Sequence, residues 1–123
     1  MTVAVIGLIA VFFLGMSAYA LAAPAELVRP FGITLGESAS RSEVRAVYGG
    51  FGLAIAGVLV YAAVADGDLR TGILITVGVA LAGMAFGRVA AAALGDRTAF
   101  YPNWFYFIVE LAAAAALFGV SVF

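Results

Sequence analysis

The chain has 123 residues, 66% hydrophobic and only 11% charged, with six basic and seven acidic side chains for a net charge of −1. Soluble domains run at about 45–50% apolar and about 25% charged, so this balance points to a membrane protein, and nothing in it is basic enough for nucleic acid. The absence of cysteine and histidine removes disulfides, thiol chemistry, zinc sites of the usual ligand set and axial His or Cys ligation of haem, so neither metal nor cofactor is expected.

Thr2–Ala23 is a near-continuous apolar run. Crossing a hydrocarbon core of about 30 Å takes about 20 helical residues, so the run predicts a first membrane helix over about 2–23. A secretory signal is the rival, with small-residue sites at Ala18-Tyr19-Ala20 and Ala20-Leu21-Ala22. Against it, no basic residue precedes the apolar part, which exceeds the usual h-region of about 7–15 residues. Pro24–Ala39 is then the longest connection. Pro24 stops the first helix and Pro30 should break any helix attempted over Ala25–Arg29. Phe31, Ile33 and Leu35 alternate with small or polar residues, which places this loop in the membrane interface. It reads as a linker ahead of a lid.

Ser40-Arg41-Ser42-Glu43 matches a capping box and predicts a second helix over about 41–65. Small residues recur along it, and Gly49, Leu53 and Ala56 share a face with Arg45 by i, i+4 spacing. Asp66-Gly67-Asp68 is a tight turn, with Asp68 as the expected N-cap of a third helix over about 69–94. Gly83-x-x-x-Gly87 reads as a packing face, and Gly95 as the stop. Pro102 fits the first turn of a fourth helix over about 102–123. Tyr101, Trp104 and Tyr106 form an aromatic belt at its start. The expected fold is all-α: a single integral membrane domain, a four-helix up-down-up-down bundle with a long interfacial first loop.

Two ionisable residues lie well inside apolar runs, Arg88 and Glu110. An intramembrane arginine costs about 2.5–3.5 kcal/mol on insertion scales and needs a partner. Arg88 lies six residues before Leu94 and Glu110 eight after Pro102, hence about 9 Å and about 12 Å from the same membrane side. They should meet in a polar pocket opening toward the first loop. Asn103, Tyr106 and Glu110 share a face, and Arg45 and Tyr48 lie near the same end, so the candidate ligand-binding residues are Arg88, Glu110, Arg45, Tyr48, Tyr106 and Asn103. Arg45 and Glu43, so near the interface, fit snorkelling or capping as well. The Arg88–Glu110 pair can also be purely structural, fixing helix register with little net stability. Basic residues in the first and third loops, Arg29, Arg41 and Arg97 against Arg70 alone, favour a cytoplasmic position for those loops.

The element Glu43-Val44-Arg45-Ala46-Val47-Tyr48-Gly49-Gly50, followed by Gly87-Arg88, the Gly95-Asp96 turn and Glu110, resembles a bacterial four-helix membrane family, the domain of unknown function forty-three forty-five. The resemblance covers nearly the whole chain and is distantly similar in layout to DoxX-type proteins. It implies the same architecture, a bacterial inner-membrane location and no particular activity.

Three functions follow from these residues. The first is a non-catalytic subunit, assembly factor or lipid-binding protein, with a bound lipid or anionic small molecule at Arg88 and a homo-oligomer or larger membrane complex as partner. The second is a proton-coupled transport or channel component using Glu110. The third is a membrane enzyme acting on a lipid or isoprenoid-like substrate, with Glu110 as acid/base. The balance is against an enzyme, and no catalytic residue is assigned. Ser17, Thr76 and Ser121 stand alone in helices and should bond back to their own backbone.

Overall fold

The computed structural model describes residues 1–122. Helix α1 spans Thr2–Ala22. A short helix α2, Pro24–Val28, and a single 3-10 turn, Arg29–Phe31, follow. Helix α3 runs Ser38–Val64, α4 Gly67–Ala93 and α5 Phe100–Ser121. Four of these, α1, α3, α4 and α5, are long and apolar enough to cross a membrane, and the chain is that of an integral membrane protein. Large apolar side chains such as Leu8, Val64 and Phe86 stand exposed on the outer faces, where lipid, not water, is the natural neighbour.

The helices alternate in direction. Gly49 and Gly52, midway along α3, lie against Leu21 and Ser17 respectively in the last third of α1, so the contacts run in opposite directions along the two helices. Gly78 of α4 lies against Phe118 of α5, and Arg88 against Glu110. A Cβ at Gly52 would collide with Ser17 Oγ, so glycine there permits the close α1–α3 approach that packing in lipid relies on. The tightest packing joins α1 with α3 and α4 with α5. The bundle is thus two antiparallel pairs. They are welded at one end by a core that includes Ile6, Ile9, Leu59, Leu74, Leu81 and Leu117. A smaller cluster, Ala20, Leu27, Val28 and Val44, sits under the first loop at the other end.

Several helix ends depart from the sequence expectations. Pro24 initiates a helix, because proline at the first position gives up only an N–H that would be unpaired anyway. Pro30 shortens that helix to one turn and a 3-10 turn, with Gly32 reversing the chain at φ +75°. α3 begins two residues ahead of the capping box. Extended Glu37 is its N-cap, and the Arg41 N–H donates to the Glu37 carbonyl at 3.3 Å. Likewise Asp66, not Asp68, holds the N-cap position of α4. The Gly95 stop is as expected. At φ +109° it closes α4, with its N–H donating to Ala92 O and that of Asp96 to Ala91 O, the paired bonds of a Schellman motif. α5 is kinked at its start, where Tyr101 is non-helical at φ −96° and ψ 135°, and runs as regular helix from Phe105. Its expected end at 123 lies outside the described residues. α3 also contains a π turn, Arg45–Gly50. Gly83 and Gly87 are no packing face within the chain: nothing lies within 4 Å of where their Cβ atoms would be.

Two surface arginines tie the ends together. Arg45 Nε donates to Leu21 O at 2.9 Å, and Arg70 donates through Nε and Nη2 to Ala62 O and Ala63 O at 2.8 and 2.9 Å. Each satisfies carbonyls left over at the C-terminal end of a neighbouring helix, where positive charge is favoured.

Candidate functional site

Arg88 projects from the last third of α4 toward α5. Its Nε and Nη2 donate to Glu110 Oε1 and Oε2, both at 2.8 Å, and Nη1 donates to Asn103 Oδ1 at 3.1 Å. This two-pronged geometry is the strongest form of a carboxylate–guanidinium contact. The seven-residue spacing of Asn103 and Glu110 brings both acceptors to one face of α5. Glu110 is 5% exposed and is the one charged side chain buried among the described residues. Isolated, it would be costly; paired, it leaves no buried side-chain polar atom without a partner among the described residues. Aromatic rings complete the surroundings. The centroids of Phe31 and Tyr106 lie 5.8 and 5.9 Å from the guanidinium carbon and 5.7 Å from each other, within the range of attraction between a cation and a ring.

A cavity of about 840 Å³ runs from this cluster along the gap between the two helix pairs. Its walls are mostly apolar: Phe12, Phe13 and Met16 of α1, Phe51 of α3, Met84 of α4 and Val109 of α5. The first loop contributes Leu27, Val28, Phe31 and Ile33. Among the described residues, polar groups reach it only as Ser17, Tyr48, Arg88, Tyr106 and Glu110. The polar pocket expected from the sequence is therefore an apolar cleft with one polar corner. The reason is that Arg88 and Glu110 neutralise each other at one end of a wall whose other residues are almost all apolar.

The six candidate residues separate accordingly. Arg88, Glu110 and Asn103 are bonded together, and Tyr106 lies against the guanidinium. Tyr48 is half-exposed and lines the cleft from α3. Arg45 is elsewhere: exposed, with its Nε on Leu21 O. It lies at the same end of the bundle as the cluster, but its side chain turns to the C-terminal end of α1, and the π turn that starts at Arg45 also breaks the i, i+4 face it was expected to share with Gly49 and Leu53. Glu43 is exposed as well. The residue that spacing arguments missed is Phe31. The alternation of Phe31, Ile33 and Leu35 marks the loop as interfacial; in the structure the 3-10 turn Arg29–Phe31 carries the Phe31 ring to the Arg88 guanidinium, so this connection lines the site as well as linking helices.

The hydroxyls do not join the cluster. Ser17 Oγ donates to Phe13 O at 2.6 Å, Thr76 Oγ1 to Gly72 O at 2.7 Å and Ser121 Oγ to Phe118 O at 2.7 Å, as isolated helical hydroxyls do.

A family model described as a domain of unknown function, DUF4345, matches residues 1–121. No curated protein and no solved structure matches the chain. The match spans nearly the whole sequence, including every residue of the Arg88 cluster, and the chain belongs to this family.

Proposed function

We propose that this member of the DUF4345 family is a non-catalytic membrane protein that binds an amphiphile from the lipid phase. The hydrocarbon part lies in the cleft and the polar part meets Arg88 beneath Phe31. One observation carries this reading: a cavity of about 840 Å³ with apolar walls ends on a single polar corner. Ligand sites are typically concave and apolar with a few placed polar groups, in a size range of about 300–1,000 Å³. The matching ligand has the same asymmetry. A proton-relay role draws less support, because both oxygens of Glu110 accept from Arg88. Nucleophilic catalysis draws none from Ser17, the aliphatic hydroxyl among the described cleft-lining residues, which is engaged with its own helix.

The test is native mass spectrometry of the protein extracted from membranes in mild detergent, beside a Val109→Trp variant that fills the cleft next to Glu110. One retained amphiphile per chain, lost in Val109→Trp, is expected. An empty native protein, or a ligand retained equally by both forms, removes the reading.

A further inference from the structure

The polar corner also selects the head of the ligand. We infer that the cleft takes an uncharged amphiphile whose head is a hydrogen-bond acceptor, a carbonyl, ester or hydroxyl oxygen, and that Glu110 is the group that keeps anionic heads out. This rests on the reading that the cleft holds an amphiphile.

A guanidinium carries five N–H donors. Three are engaged, two by Glu110 and one by Asn103, which leaves two for a ligand. The positive charge, by contrast, is already matched by the carboxylate at 2.8 Å. Among the described residues no other arginine lines the cleft, and the sequence has no lysine. A phosphate or carboxylate entering this corner would give up its hydration and meet Glu110's like charge beside Arg88, with no free cation to compensate it. The ring faces of Phe31 and Tyr106, already turned to the guanidinium, add further negative potential. An oxygen without charge gives up far less hydration and can take the unused N–H groups. A lone membrane arginine suggests an anion holder; with its charge balanced it becomes a directional donor.

Monoolein and oleoyl lysophosphatidic acid test this directly. They share one chain and one glycerol and differ by a phosphate. Titrated onto the full chain in nanodiscs of uncharged lipid and read by native mass spectrometry, the native protein is expected to prefer monoolein by at least tenfold. Glu110→Gln keeps an acceptor for Arg88 but frees its charge, so the preference should shift at least tenfold toward the phosphate-bearing probe. Equal or tighter binding of lysophosphatidic acid by the native protein, still displaced by Val109→Trp, overturns the head assignment and leaves cleft binding intact. An unchanged ratio in Glu110→Gln overturns the role given to Glu110. If that variant fails to fold, the native ratio decides alone. If Val109→Trp displaces neither probe, cleft binding itself falls, and the head assignment with it.

Discussion

At the end of the bundle away from the first loop, Ile6, Leu59, Leu74 and Leu117 are fully buried and all four long helices contribute to one core. At the loop end the two helix pairs part around the cleft, and what crosses from α4 to α5 is an ion pair with an amide beside it. The contrast teaches how a small bundle can be open and still hold together. Lipid tails are as apolar as leucine, so helices in a membrane gain little from merely hiding apolar surface. Close packing and interhelical hydrogen bonds must do that work. The closed end packs all four helices together; at the open end Gly49 and Gly52 keep α1 close to α3 while the Arg88–Glu110 bonds hold α4 to α5, so space can remain between the two pairs.

The largest expected effect comes from breaking the bonded end. Glu110→Ala leaves a guanidinium without its counterion, a loss of about 3–5 kcal/mol for a buried pair. Unfolding of the micelle-embedded protein in denaturant should show it, and the Arg88→Ala/Glu110→Ala double variant should recover part of that loss. Full additivity of the two single variants would show that the pair does not hold the open end. Leu117→Ala at the packed end should cost about 2–5 kcal/mol while leaving bound amphiphile unchanged, because Leu117 belongs to the core and not to the cleft wall. Met84→Ala, on the cleft wall, should do the reverse: under about 1 kcal/mol in stability, with a measurable change in ligand retention. Gly78→Ala should cost about 1 kcal/mol, since its Cβ would lie 2.6 Å from the Phe118 ring. Gly87→Ala, facing open space, should be neutral or slightly stabilising, and thermal melts of the two variants should diverge accordingly. The smallest effect belongs to the exposed Arg29–Glu26 pair. Glu26→Gln there should change stability by no more than about 1 kcal/mol, less at high salt.

Much of this was legible in the chain itself. Four apolar runs long enough to span a bilayer predict four helices, and one arginine and one carboxylate at matching depths predict their own contact. Helix ends were less legible. Ser40–Glu43 and Asp68 carry good capping chemistry, but α3 and α4 begin at Ser38 and Gly67, three and two residues before the expected starts. Extended Glu37 and Asp66 already supply the entry, and neither end uses a side-chain cap. The cleft could not be read from periodicity at all. It depends on where two helix pairs separate, and the residues along its walls are no different in type from those of the core. Phe31 escaped for a related reason: its place depends on the path of the short helix and 3-10 turn that carry it, not on the spacing of the loop's apolar residues.

The π turn at Arg45–Gly50 has a consequence for how this protein tolerates change in length. A helix with such a bulge carries one surplus amino acid, accommodated by widening one turn. The Phe51 N–H reaches back to Ala46 O, one residue farther than an α-helix would require. Deleting Ala46 should let the segment relax to regular helix with both flanks where they are. The same deletion in α4, between Gly87 and the Gly95 stop, has no slack to consume and would rotate whatever follows it by about 100°. The stability of the folded bundle, read by thermal melts, should therefore survive a one-codon loss in the first place and suffer from it in the second.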